Sequence, residues 1–269
     1  MSDSRTEESD LVQPERTITV VIPTLNEARN IEHVLGRLPD SITEVILVDG
    51  GSTDATVDLA TLAWPGVRIL TQARTGKGNA LVTGIHAATG DVIVTIDADG
   101  SMDPAEIDRF VGPLYAGADY VRGSRNVSGG GSADITWFRG LGNRMLNALA
   151  NGLFGTAHTD LCYGYNAMTA RAARALALPE PTDATAGAQW GDGFEIETLM
   201  HVRAVKADLV TVEVPSFEAP RRFGESNLSA IRDGFRCLRT LLYERFSPAV
   251  LRATSLPRTR RLVDVADAE

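Results

Sequence analysis

The amino-acid sequence predicts an α/β domain built on a mixed, mainly parallel sheet flanked by helices. Two observations carry that expectation. Short runs rich in Val, Ile and Leu recur without polar alternation, as strands buried on both faces do, and helix-length segments alternate with them. A third observation is that Pro23, Asp49 and the pair Asp97 and Asp99 stand directly behind such runs. Ligands of open α/β sheets bind beyond the carboxyl ends of the strands.

Residues 1–16 are polar and acidic without periodicity, and a disordered acidic tail is expected there. Residues 18–22 form the first predicted strand, stopped by Pro23, and a helix is expected over about residues 27–38, with Ile31, Val34 and Leu38 on one face. The next strand covers residues 45–48 and ends at Asp49 and the turn Gly50-Gly51-Ser52, followed by a helix over about 53–62. A short strand at 67–70 precedes the turn Gly76-Lys77-Gly78 and a helix over about 79–88. Strand 92–96 carries Asp97-Ala98-Asp99, and Pro104 falls where proline is tolerated, in the first turn of the following helix. The domain reading is a catalytic-size unit over 17–228, an amphipathic basic helix over 229–247 and a flexible tail over 248–269.

With 269 residues, 43% of them hydrophobic, the chain is long enough to bury a substantial core. No stretch is apolar enough to span a bilayer, and residues 1–8 lack the basic-then-apolar order of a signal peptide, so a cytoplasmic protein is expected, peripheral at most at the inner face of the membrane. Cys162 and Cys237 are far apart in sequence and are expected to be reduced, and the four histidines show no ligand spacing. The net charge of -9 hides an asymmetry. Between Ala219 and Arg261 ten arginines face Glu225, Asp233 and Glu244, a surplus of seven positive charges, which leaves -16 on the remainder. Such a segment seeks anions: substrate phosphates, a lipid surface or an acidic partner. Nucleic acid is not expected, because the acidic body would repel it and no basic motif interleaved with aromatics occurs.

Side chains alternate along a strand, so Asp97 and Asp99 emerge on the same side of the chain where a buried strand reaches solvent. Paired carboxylates there suit Mg²⁺ or Mn²⁺ shared with the phosphates of a diphosphate ligand. An Asp-x-Asp is also an ordinary polar turn, so the rest of the sequence has to decide. Residues 71–78 resemble a phosphate loop but carry Thr71 where the first glycine belongs and Gly78 in place of the final Ser or Thr, and the turn after the second strand lacks the dinucleotide Gly-x-Gly-x-x-Gly. Kinase and dehydrogenase readings lose support.

Ordered motifs then resemble a single family. Val21-Ile22-Pro23-Thr24-Leu25-Asn26-Glu27, Val48-Asp49-Gly50-Gly51-Ser52-Thr53-Asp54, Gly76-Lys77-Gly78-Asn79-Ala80 and Asp97-Ala98-Asp99-Gly100-Ser101 are similar to the family-2 glycosyltransferases of the Rossmann-like GT-A fold. The similarity is closest to the branch of dolichyl-phosphate mannose synthase and related polyprenyl-phosphate sugar transferases. It continues through Gly123-Ser124-Arg125, residues 160–165 and 193–197, to Arg221-Arg222-Phe223-Gly224-Glu225-Ser226-Asn227-Leu228, and so covers about residues 18–245. Asn227 departs from the lysine that many mannose-synthase relatives carry there.

The resemblance implies a donor that is a UDP- or GDP-linked sugar and an acceptor that is a polyprenyl phosphate or another nucleophile. It places Pro23, Asn26 and Glu27 around the base and ribose, with Asp49 accepting a hydrogen bond from the base. Lys77 and Arg125 would approach the nucleotide sugar, Asp97 would support it, and Asp97 and Asp99 would hold the metal. Arg222, helped by Arg221, would neutralise a phosphate; a solvated basic turn is the alternative. Transfer with inversion is implied. A polyprenyl phosphate oxygen is anionic already, whereas a sugar hydroxyl acceptor needs a general base. Asp192 and Glu195 are three apart, would share a helix face, and are candidates for that base, for positioning hydroxyls or for capping the helix.

Leu228, Ile231, Phe235, Leu238, Leu242 and Phe246 follow three-and-four spacing, with Arg232, Arg236 and Arg239 along one flank. Such a helix can lie in a membrane interface or pack its stripe on the sheet domain. Many relatives add transmembrane helices beyond this point, whereas this sequence continues into Pro257-Arg258-Thr259-Arg260-Arg261, which argues against stable anchoring. Gly129-Gly130-Gly131 predicts a mobile loop, either a lid or a passive connection. A sugar-phosphate nucleotidyltransferase would place its glycine-rich signature in the first strand-to-helix turn, where this chain has residues 23–27. A catalytically idle binding module would have no need of both aspartates.

Overall fold

The computed structural model describes residues 16–181, 188–225 and 228–247. Its first half runs β1 (Ile18–Thr24), α1 (Ile31–Leu35), β2 (Glu44–Asp49), α2 (Thr56–Ala63), β3 (Arg68–Thr71), α3 (Lys77–Ala87) and β4 (Val92–Thr95), then a 3-10 turn at Pro104–Glu106 and α4 (Ile107–Tyr115). The second half runs β5 (Tyr120–Ser124), β6 (Gly131–Ser132), α5 (Trp137–Phe154), β7 (Asn166–Thr169), α6 (Ala170–Ala175), α7 (Ile196–Lys206), β8 (Thr211–Pro215), β9 (Phe217–Glu218) and α8 (Ala230–Phe246). Seven strands form one sheet in the order β3-β2-β1-β4-β7-β5-β8, in which only β7 runs against its neighbours; β6 and β9 pair separately. The mixed, mainly parallel α/β architecture is the one the sequence predicts.

The continuous apolar runs are buried on both faces. Val20, Ile22, Val45 and Leu47 enter the core shared with α1 and α4, while Val21, Ile46 and Val48 enter the core shared with α3 and α7. Proline did not stop the first strand, because β1 continues through Pro23 to Thr24, in register with Val48 and Asp49. The reason lies in the ladder. Val21 O accepts from Ile96 N, so alternate residues of β1 face β4, and β4 ends level with Val21. The N–H that Pro23 lacks would point where no strand waits for it.

The first helix is shorter than its apolar spacing predicts, covering Ile31–Leu35 and not about 27–38. Asn26 has a positive φ of 57°, and the amides of Asn26, Glu27 and Ala28 donate to Ser52, Thr56 and Asp54 in the loop after β2. Those bonds replace the first helical turn with a loop-to-loop tie. Pro104 does begin a helical turn, capped by the Asp103 carboxylate, which accepts from Ala105 N.

The triple glycine is not a free loop. A Cβ on Gly130 would come within 2.4 Å of Ser124 O, and Gly131 pairs with Phe217 in the small β6-β9 ladder. Glycine is needed there for close approach, which the sequence pattern alone reads as mobility. Residues 1–15, 182–187, 226–227 and 248–269, which include most of both expected tails and Asn227, lie outside the described residues.

Candidate active site

The carboxyl ends of β1, β2 and β4 open into a cavity of about 720 Å³. That is within the range of small-molecule sites. Pro23, Glu27, Lys77, Asp97, Asp99 and Arg221 line one end, whereas Phe138, Leu141 and Met145 of α5, with Leu228 and Arg236, line the other. The cavity joins a charged end to a largely apolar one.

Two cations each bridge two carboxylates at the charged end. Lys77 Nζ lies 2.7 Å from Asp97 Oδ1 and 2.9 Å from Glu197 Oε1. Arg221 spans 2.8 Å to Glu27 Oε1 and 2.9 Å to Asp99 Oδ2, while Asp99 Oδ1 accepts from Ser101 N. Burial alone would depress the Lys77 ammonium, but Asp97 and Glu197 outweigh it and hold its pKa above the ordinary lysine value. Burial raises both Glu27 and Glu197, against the opposing pull of Asn30 and Arg221 on the first and of Lys77 on the second. Four carboxylates against two cations leave a formal surplus of two negative charges. That surplus suits a divalent ion.

Among the described residues no group of three Asp, Glu, His or Cys side chains could enclose a metal. Asp97 and Asp99 offer oxygen ligands only, from a half-open wall. Such a set fits Mg²⁺ or Mn²⁺ bound jointly by protein and substrate phosphate, and does not fit a tightly caged structural ion.

Other predicted site residues are placed differently from one another. Pro23, Glu27, Lys77, Asp97, Asp99 and Arg125 reach the cavity wall, but Asn26 and Asp49 do not. Asn26 Oδ1 accepts from Thr53 N at 2.8 Å, and Asp49 accepts from Gly51 N and Ser52 N, so both side chains shape the loop behind the wall. Arg125 is held by Asp160 and Glu218 at 2.7 and 3.0 Å and lies over the Tyr163 ring. Its charge is already matched. Of the arginine pair, Arg221 enters the site; Arg222 is exposed, and its side chain packs beside Gly100. The emphasis placed on Arg222 moves to its neighbour.

Asp192 and Glu195 do not share a helix face, because α7 begins at Ile196 and Glu195 is its N-cap residue. Asp192 forms a buried pair with Arg74 at 2.8 Å and accepts from Asn79 Nδ2 and Gln189 N. Burial opposes ionisation of that carboxyl, but the bonds from Arg74, Gln189 and Asn79 hold its pKa below the usual carboxylate range. A carboxylate so stabilised is a poor proton acceptor. Glu195 Oε1 accepts from Gly191 N at 3.1 Å, and its Oε2 is buried without a hydrogen-bond partner among the described residues.

The loop around Asp192 also explains the imperfect phosphate loop. Gly78 N and Asn79 N both donate to Asp192 O, at 2.8 and 3.2 Å, so the first amides of α3 are committed to protein. A Cβ on Gly78 would lie 1.9 Å from Gly191 O, which is why glycine stands there. Sequence reasoning missed Arg74 and gave Glu197 no role, although both lie inside quoted segments. It also read Cys162 and Cys237 as far apart, whereas both line the cavity.

The sheet order, the antiparallel β7 and the carboxylate pair behind β4 define a GT-A glycosyltransferase. A family model, Glycosyl transferase family 2, matches residues 19–176. The chain belongs to that family. It is 34% identical to the polyprenol monophosphomannose synthase of Mycolicibacterium smegmatis over 83% of this chain and 85% of the relative. It is 32% identical to the undecaprenyl-phosphate mannosyltransferase of Micrococcus luteus over 79% of this chain and 87% of the relative. A crystal structure of glucosyl-3-phosphoglycerate synthase from Mycobacterium tuberculosis in complex with Mn²⁺, UDP-glucose and phosphoglyceric acid is similar at a TM-score of 0.64 and 27% identity, covering 86% of this chain and 80% of the other.

Proposed function

We propose that this glycosyltransferase moves a sugar, with inversion, from a UDP- or GDP-linked donor to a polyprenyl phosphate. One observation carries the acceptor: the cavity that holds Asp97 and Asp99 continues into a wing with an apolar wall, Phe138, Leu141, Met145 and Leu146 of α5, and two cations, Arg232 and Arg236 of α8. An isoprenoid chain matches such a wing, and a small polar acceptor does not need it. The names of the two mannosyl-transferring relatives support the same class.

In this reading a phosphate oxygen of the acceptor bonds the anomeric carbon as the bond from that carbon to the donor diphosphate breaks. The electron pair leaves on the diphosphate. Arg221, poised between Glu27 and Asp99, meets that developing charge, and preorganised charge of this kind dominates many enzymes. Asp97 and Asp99 would hold Mg²⁺ or Mn²⁺, which would supply further positive charge to the leaving group. Lys77 orients Asp97 from the opposite side, and Glu197 fixes Lys77 in turn. Pro23 and Glu27 border the nucleoside end, and Asn26 and Asp49 set the loop beside it. No proton acceptor is required, because the attacking oxygen is already anionic.

A soluble hydroxyl acceptor is the second reading. It would need a base, and of the two candidates Asp192 lines the cavity but is bound to Arg74, while Glu195 is buried behind the wall, so Glu195 would have to be reached by a shift of the 189–195 loop. The test is nucleotide release from UDP- and GDP-sugars with Mn²⁺ or Mg²⁺, measured with polyprenyl phosphate and with soluble hydroxyl acceptors. Turnover that rises with polyprenyl phosphate supports the proposal. Turnover only with a soluble hydroxyl, lost in Glu195→Gln, would replace it.

A further inference from the structure

Most of the apolar stripe of α8 faces solvent. Ile231, Phe235 and Phe246 are 65%, 68% and 76% exposed. On α5, which packs against α8, Trp137 and Met145 are 80% and 66% exposed, and Leu141 lies between them at four-residue spacing. Scattered apolar residues are ordinary on a surface, but two adjacent helices presenting one stripe each are not.

The rotation of α8 is fixed by polar contacts on its inner side. Trp190 Nε1 donates to Thr240 Oγ1 at 3.1 Å, Glu244 is buried against Arg203 at 3.1 Å and against Lys206, and Leu241 alone of the large apolar side chains of α8 is fully buried beside them. A helix packed on a domain in water ordinarily does the reverse, turning its apolar side inward. Here Thr240 and Glu244 hold most of that side out. Of the stripe, Leu228 and Leu238 are half-buried, while Ile231, Phe235, Leu242 and Phe246 face solvent.

The surroundings of the stripe select its partner. Arg232, Arg236, Arg239 and Arg245 are exposed beside it, in a segment with a surplus of seven positive charges on an otherwise acidic chain. A second copy would set arginine against arginine. A bilayer offers anionic headgroups to those side chains and hydrocarbon to the rings between them. Continuity with the site points the same way: Leu141 and Met145 line the cavity as well as the exposed face, and Arg232 and Arg236 line it from α8.

We propose that the face formed jointly by α5 and α8 docks the enzyme on an anionic bilayer with the mouth of the cavity turned toward the membrane. The proposal stands on its own observations. It also gives the polyprenyl-phosphate reading, on which its catalytic use rests, a route for an acceptor that stays in the bilayer while its phosphate enters.

The experiment is flotation of the full chain with vesicles of equal parts phosphatidylcholine and phosphatidylglycerol, and with pure phosphatidylcholine, containing no polyprenyl phosphate. Binding to the anionic vesicles is expected, weakened by salt and about tenfold weaker on the neutral ones. Trp137→Glu combined with Phe235→Glu, both outside the cavity wall, should lower vesicle binding at least about tenfold while leaving UDP or GDP affinity unchanged. Wild-type protein that stays in solution overturns the proposal, as does a double variant that floats like the wild type. A wild-type dimer dissolved by the double variant, with no vesicle binding, reassigns the face to self-association and also overturns it. Vesicle binding as expected but no transfer to polyprenyl phosphate leaves the docking face in place and removes the acceptor reading.

Discussion

Asp99 and Arg221 meet at 2.9 Å, and each side chain carries its own prediction about charge at the site. Asp99→Asn keeps the shape and the bond from Ser101 N but loses the negative charge a metal needs. Its kcat should fall on the order of 10²- to 10³-fold, and added Mn²⁺ should not restore it, while circular dichroism stays that of the wild type. Unchanged turnover would remove the metal role. Arg221→Ala should lower kcat/KM about 10²-fold, whereas Arg222→Ala, exposed outside the cavity, should stay within about threefold of wild type. Steady-state kinetics on both variants separates two neighbours of which sequence alone favoured Arg222. The motif showed that an arginine was wanted there. The backbone bond from Arg222 N to Asp99 O, which helps set the direction of each side chain, is a tertiary contact with no local signature.

At the scale of elements, legibility followed the distance over which the deciding contact acts. Strands β1, β2 and β4 were readable because burial on both faces leaves a continuous apolar run. Helix α1 was overextended because Ser52, Asp54 and Thr56, two dozen residues away, take the amides that would have begun it. The apolar spacing of α8 was read correctly, but which side faced the domain depended on Arg203, Lys206 and Trp190, none of them on that helix. Glu244 is the anchor to test. Glu244→Ala leaves Arg203 and Lys206 buried without their carboxylate, and breaking a buried pair from one side costs about 3 kcal/mol or more. Chemical denaturation should show that loss, and hydrogen exchange in α8 should rise above that in β1.

Across the whole molecule, charge is handled by burying ions in pairs: Arg74 with Asp192, Arg125 with Asp160 and Glu218, Arg203 with Glu244. Among the described residues, no carboxylate is paired with His158. His158 sits beside Arg122, and burial together with that positive charge pushes its imidazole down to about 3 from an ordinary 6.5. The unfolded chain therefore binds a proton that the folded protein refuses throughout this interval. The stability contributed by the neutral ring is fully present above pH 6.5, begins to fall as pH drops through that value, and continues to fall toward the folded pKa. Each pH unit within the window should cost about 1.4 kcal/mol for this residue. Half-buried Glu27 and buried Glu197, whose pKa values are raised, act in the opposite sense as pH falls, so the wild-type profile alone would mix the effects. His158→Gln isolates the histidine. The Nε2 atom has no hydrogen-bond partner to lose, and the bonds of the residue to Asn151 run through its backbone. Denaturant midpoints measured between about pH 7 and 5 should fall less steeply for the variant than for the wild type; parallel profiles would show that His158 protonates alike in both states.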